Sequence, residues 1–136
     1  MRFDTKIGIV VRDDLAAWQR LNVTAFLASA AAAAVPETVG APYRDGSDEI
    51  YLPMFGQPVL VFSASAAELG RARELAVARG MRSAIYTEEM FATDHDEANR
   101  AVVRSVPSAD LNLVGLVVFG ARNGVDKVLK GLRLHP

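Results

Sequence analysis

Ile7-Gly8-Ile9-Val10-Val11 is an unbroken apolar run, mostly β-branched, closed off at once by Arg12-Asp13-Asp14. A half-exposed strand would alternate polar and apolar residues. A continuous run reads as a strand covered on both faces, as in a sheet between two helix layers. Three later stretches repeat the theme: Pro58-Val59-Leu60-Val61-Phe62, Ala84-Ile85-Tyr86 within 82–87, and the strongly apolar run from Leu113 to Phe119.

Helical patterns fill the gaps. Ala16 to Leu21 reads as a helical turn holding Trp18. Asn22 then reads as an N-cap, able to accept from free N–H groups at Thr24 or Ala25. The Ala-rich stretch beyond it is a strong helix former, and Pro36 ends it. Ser65-Ala66-Ala67-Glu68 is a capping box. Its helix places Leu69, Ala72, Leu75 and Ala76 on one face and stops at Gly80 in the left-handed position. Asp94 to Val106 is a weaker helix with Ala98, Ala101 and Val102 inward. The last helix aligns Val125, Val128, Leu129 and Leu132. Strands alternating with helices predict an α/β sandwich with a largely parallel sheet.

Residues 37–57 break the pattern with Gly40, Pro42, Gly46, Pro53 and Gly56. Asp45-Gly46 is a turn dipeptide, and Tyr43-Arg44 and Glu49 to Leu52 flank it, which predicts a small hairpin. Long ordered loops of this kind often carry function.

Composition narrows the class. The chain has 136 residues, enough for one domain spanning 1–136. Half of it, 51%, is hydrophobic and 23% is charged, the usage of a folded soluble protein. Fifteen Lys and Arg face sixteen Asp and Glu, so no positive field exists to collect nucleic acid. Cysteine is absent, which removes thiolate chemistry and disulfides and fits a cytoplasmic location. The run after Met1 is too short for a leader core, and the Ala-rich stretch from Leu21 to Val35 is too short and too polar to span a membrane.

Catalytic and metal signatures are weak. Asp94-His95-Asp96-Glu97 offers four ligands, but helical neighbours diverge by about 100°, so a solvated acidic helix start is the simpler reading. Ser29, Ser63 and Ser65 lack a nucleophile elbow, and any triad would need His95 as its base. No phosphate-binding glycine loop occurs, and no cofactor is expected.

The order of Val10-Val11-Arg12-Asp13-Asp14-Leu15, Val23 to Ala30, Ser65 to Tyr86, Leu116 to Gly120 and Val125 to Leu134 resembles the type II peptidyl-tRNA hydrolases. Trp18 to Phe26, together with Leu52-Pro53-Met54 and Gln57 to Phe62, resembles more closely the domain-of-unknown-function 2000 family, which shares that fold. The resemblance implies a three-layer α/β/α sandwich around a four-stranded mixed sheet, often dimeric. Carried over residue by residue, the hydrolase's Lys falls on Asn22, its Gln on Phe26 and its His on Ser29. Its acidic group falls near Thr87 or Glu88. Most of that polar set is lost, so the fold is expected to persist without the chemistry.

One region remains as a candidate site. Ligands of open α/β sheets collect beyond the carboxyl ends of parallel strands. Arg12 and Asp14 stand at the end of the first strand, Asn22 and Thr24 at the helix start, and Tyr86 at the end of the third strand. The irregular loop is expected to bring Tyr43, with Arg44, Asp45, Tyr51 and Gln57, over this crevice. The expected occupant is a small molecule, an anion suiting the helix N–H groups. The bland alternative is that Arg12 pairs with Asp14, Trp18 plugs the core and Asn22 only caps. Acyl-ester hydrolysis by analogy of fold, and homodimerisation through the Ala-rich helix, are the other two readings.

Overall fold

The first strand, β1 (Thr5–Arg12), is the middle of the sheet. In the computed structural model, which describes residues 2–136, it pairs in parallel with β4 (Val59–Ala64) and antiparallel with β6 (Leu113–Ala121). Met1, where the leader reading began, lies outside the described residues. Beyond β6 lies β5 (Arg82–Thr87), and beyond β4 lies a two-residue strand, β7 (Arg133–Leu134). A separate hairpin pairs β2 (Tyr43–Arg44) with β3 (Ile50–Tyr51).

Four α-helices lie among the described residues. They are α1 (Ala17–Ala34), α2 (Ala66–Ala78), α3 (Asp96–Arg104) and α4 (Arg122–Val128). Alternation along β1 divides the core into two layers. Ile7, Ile9 and Val11 pack with Val23, Leu27 and Ala31 of α1. Val10 packs on the opposite side with Leu69 and Ala72 of α2 and Val125 and Val128 of α4. Leu27 and Leu69 are almost wholly buried, and each such side chain contributes about 1.5–3 kcal/mol through its transfer from water.

Close approach to the sheet requires glycine at two points. A Cβ on Gly115 of β6 would lie 2.4 Å from Val23 Cγ1 and 2.8 Å from Leu27 Cδ1, so α1 sits directly on that backbone. A Cβ on Gly8 would lie 2.5 Å from Leu129 Cδ1 on the opposite face.

Several expectations change. The sheet has five strands rather than four, because the chain leaves α4 after Val128 and returns as β7, where the sequence suggested continued helix. It is mainly antiparallel, since β1–β4 is the only parallel pair among the described residues. Leu75 and Ala101 are exposed rather than inward. Asn22 does not begin a helix: α1 starts at Ala17 as one continuous element, with Gln19 Oε1 accepting from Ala16 N at 2.9 Å. Its N–H is therefore not one of the free donors of a helix start. The capping box holds as read, with Glu68 N donating to Ser65 Oγ and Ser65 N donating to Glu68 Oε1. Gly80 is left-handed at φ +62°.

Candidate functional site

Strands β1, β4 and β5 run the same way, so their carboxyl ends share one edge of the sheet. Two groups of side chains occupy that edge. In the first, Arg12 is clamped. Its Nε donates to Asp14 Oδ1 at 2.6 Å, its Nη2 to Glu88 Oε1 at 2.7 Å and its Nη1 to Asn112 Oδ1 at 3.0 Å. Asn112 Nδ2 closes the ring onto Glu88 Oε2 at 3.0 Å. The guanidinium's hydrogen bonds first, joined at Glu88 by one from the Asn112 amide, and then its charge hold both carboxyls below their ordinary values. A cation so fully engaged is a structural tie between β1, β5 and β6 rather than a free anion receptor.

The second group forms a cleft of about 300 Å³ between α1, α3 and the short 3-10 turn at Glu88–Ala92. Asn22 Nδ2 donates to the Tyr86 phenol oxygen at 3.3 Å. Burial raises the Tyr86 pKa above its ordinary value, the Asn22 hydrogen bond acting against it. The phenol therefore keeps its proton at neutral pH and can donate it. Phe91 packs 5.2 Å from Tyr86, Phe26 meets Tyr86 edge-on at 5.7 Å, and Trp18 meets Phe91 edge-on at 5.7 Å. Trp18 does not plug the core. It is 61% exposed, and Phe26 is 51% exposed.

Opposite the aromatic wall stand Thr93, whose hydroxyl contacts Asn99, and His95. His95 caps α3, its Nδ1 accepting from Ala98 N at 3.1 Å. With Nδ1 accepting, Nε2 is the ring's donor, and it faces Asp94 Oδ1 at 3.7 Å. The acidic start of α3, Asp96 and Glu97, suits the positive end of the helix dipole. No group of three or more His, Cys, Asp or Glu among the described residues is arranged to hold a metal ion.

The cleft continues into an apolar groove of about 670 Å³. Ile85, Met90 and Val103 line it, and Arg100 and Arg104 border it. Arg100 is tied to Asp96 at 2.5 Å, whereas Arg104 makes no ion pair among the described residues.

Of the six residues singled out in the sequence, Arg12 and Asp14 come together in the clamp and Asn22 and Tyr86 in the cleft. Thr24 lies away from both, its hydroxyl donating to Arg20 O at 2.7 Å. Tyr43 lies in the exposed hairpin. That hairpin is rooted by Gln57 beside Thr5, at the opposite end of β1 from Arg12 and about 23 Å along the strand. The expected loop over the crevice is therefore an arm springing from the far end of the sheet. The Ser29 hydroxyl donates to Phe26 O, and Glu88 holds Arg12. Sequence reading missed Phe91, Thr93, Asn99 and Arg104. Their signal was slight: an apolar and polar mixture after a strand, with no motif spacing.

These features define a three-layer α/β protein with an aromatic cleft at the carboxyl edge of its sheet. The chain belongs to the family described as protein of unknown function (DUF2000), whose model matches residues 5–136. It is similar to a solved protein of unknown function from Agrobacterium tumefaciens strain C58, at 43% identity and a TM-score of 0.96. The match covers 99% of this chain and 100% of that one. No curated protein matches the chain. Among the described residues, no helix is long and apolar enough to cross a membrane.

Proposed function

We propose that the chain binds a small amphipathic molecule, a flat apolar body carrying an anionic group, in the cleft between α1 and α3. The observation that carries this is the pair of exposed aromatics, Trp18 and Phe26, set beside a buried phenol and a side-chain amide. Concave, mostly apolar sites with a few convergent polar groups are the usual form of ligand pockets. A ring inserted against Trp18 and Phe91 would remove apolar surface from water. The Asn22 carbonyl oxygen, the Tyr86 hydroxyl and the His95 Nε2–H would orient its polar edge. Arg104 at the groove rim, rather than the engaged Arg12, would meet the anion.

The scaffold is read as like that of the type II peptidyl-tRNA hydrolases, on the order of elements and the three layers, and the setting as cytoplasmic, on the lack of cysteine. Acyl-ester hydrolysis finds less support. His95 Nδ1 is occupied as a cap, and the Thr93 hydroxyl near it donates to Met90 O at 2.9 Å.

Trp18 is the only tryptophan, so its emission reports directly on the cleft. Titration with 1-naphthoate and indole-3-acetate is expected to quench that emission saturably, and Arg104→Ala or Asn22→Ala to weaken binding at least fivefold. Neutral naphthalenemethanol should bind less well than naphthoate. Quenching that is non-saturable, or unchanged in both variants, would remove this site.

A further inference from the structure

We infer that a second copy of this chain covers the outer flank of α1, and that each copy lays its hairpin arm into the other's groove there. The sheet's α1 face is the starting point. Among the described residues α1 is the main helix on this face, and it rests over β1, β5 and β6. Beside it, toward β4 and β7, a groove of about 640 Å³ stays open, lined by Leu21, Ala25, Val59, Val61 and Leu134. Leu21 is 73% exposed.

The outward side of α1 is as unusual as the groove. From Leu21 to Ala34 the helix carries no charged residue, and on the groove flank Leu21 and Ala25 are both exposed. A helix without a charged outer side is ordinarily a covered helix. The cleft with Trp18 lies on its other flank, so covering this side leaves the proposed ligand site open.

The arm supplies a matching surface. Every residue from 40 to 52 is exposed, among them Tyr43, Ile50, Tyr51 and Leu52, with Met54 exposed just beyond. Strands of two residues do not hold themselves out in water by pairing alone. The arm is nevertheless pre-shaped. Asp45 Oδ1 accepts from Ser47 N and Glu49 N, and its Oδ2 accepts from the Tyr51 hydroxyl at 2.9 Å. A pre-shaped arm loses less entropy on docking.

Charge selects a second copy over an unrelated partner. The arm carries Asp45, Asp48 and Glu49 against Arg44. The groove is bordered by Arg20 and His135, and no acidic residue lines it. Arg20 is held by Leu15 O and His135 Nε2, with no carboxylate partner among the described residues. An acidic apolar arm and a basic-rimmed apolar groove on one chain are self-complementary, the condition for a closed two-fold dimer.

Sedimentation equilibrium of the intact chain from 1 to 100 μM is the test. The wild type is expected at twice its 14.6 kDa mass. Leu52→Asp on the arm and Ala25→Arg in the groove are each expected to raise the dimer dissociation constant at least tenfold. Val77→Asp, an exposed apolar position on α2, should leave it unchanged. Circular dichroism confirms that each variant folds. A monomeric wild type would overturn the inference. So would a dimer that survives either the arm or the groove substitution, or one that Val77→Asp dissolves equally.

Discussion

Arg12 Nη2 and Glu88 Oε1 stand 2.7 Å apart, and this pair ties the end of the central strand to the turn after β5. The same guanidinium holds Asp14. Both carboxyls titrate below their ordinary values of 4.5 for Glu88 and 3.8 for Asp14. A carboxyl depressed in the folded state contributes stability that is complete above its unfolded pKa and is lost as pH falls through the folded one. The urea midpoint should therefore fall below about pH 4.5, and Glu88→Gln should flatten part of that fall. Both carboxylates are more than half exposed, so solvent screening keeps the effect modest. An acid limb identical in Glu88→Gln and wild type would show that this pair does not govern acid sensitivity.

Gly115→Ala tests the seating of α1. The added methyl meets Val23 and Leu27 at distances no real Cβ tolerates, so the helix must lift or the side chains must leave their rotamers. Overpacking of this kind costs about 1–3 kcal/mol. Urea unfolding should show that loss, while Gly46→Ala in the open hairpin, with nothing within 4 Å, should show almost none.

The Thr87 hydroxyl is buried and has no hydrogen-bond partner among the described residues. Thr87→Val replaces it with a methyl of similar shape and removes the desolvation cost of an unpaired polar atom. The expected change is neutral to about 1 kcal/mol stabilising. A loss above 1 kcal/mol in urea unfolding would mean that the hydroxyl has a partner, such as an ordered water, in solution.

The four main strands were legible because each is a continuous apolar run bounded by polar or turn residues. The Ser65–Glu68 box and the Asp45–Gly46 hairpin were legible because both depend on local hydrogen bonding. Strand order was not, since seating β6 against β1 depends on pairs such as Val11 with Gly115 and Thr5 with Ala121, from opposite ends of the chain. Asn22 misled for a physical reason: Asn favours caps, yet here tertiary bonding to Tyr86 holds it within a helix. Gln19 supplied the cap bond instead, a weaker cue beside alanine. Of the candidate site, Asn22 and Tyr86 were legible as neighbours at the carboxyl edge of the sheet. Their aromatic neighbours were not, because no fixed spacing links Trp18 with Phe91.

The position of Trp18 has a practical corollary. Its indole is already wetted in the native state, so denaturation changes its surroundings little and its emission maximum should barely shift to the red. Melting curves taken at that wavelength would understate the transition, and backbone ellipticity is the better gauge. Occupancy of the neighbouring hollow would, in turn, be read against an almost flat background.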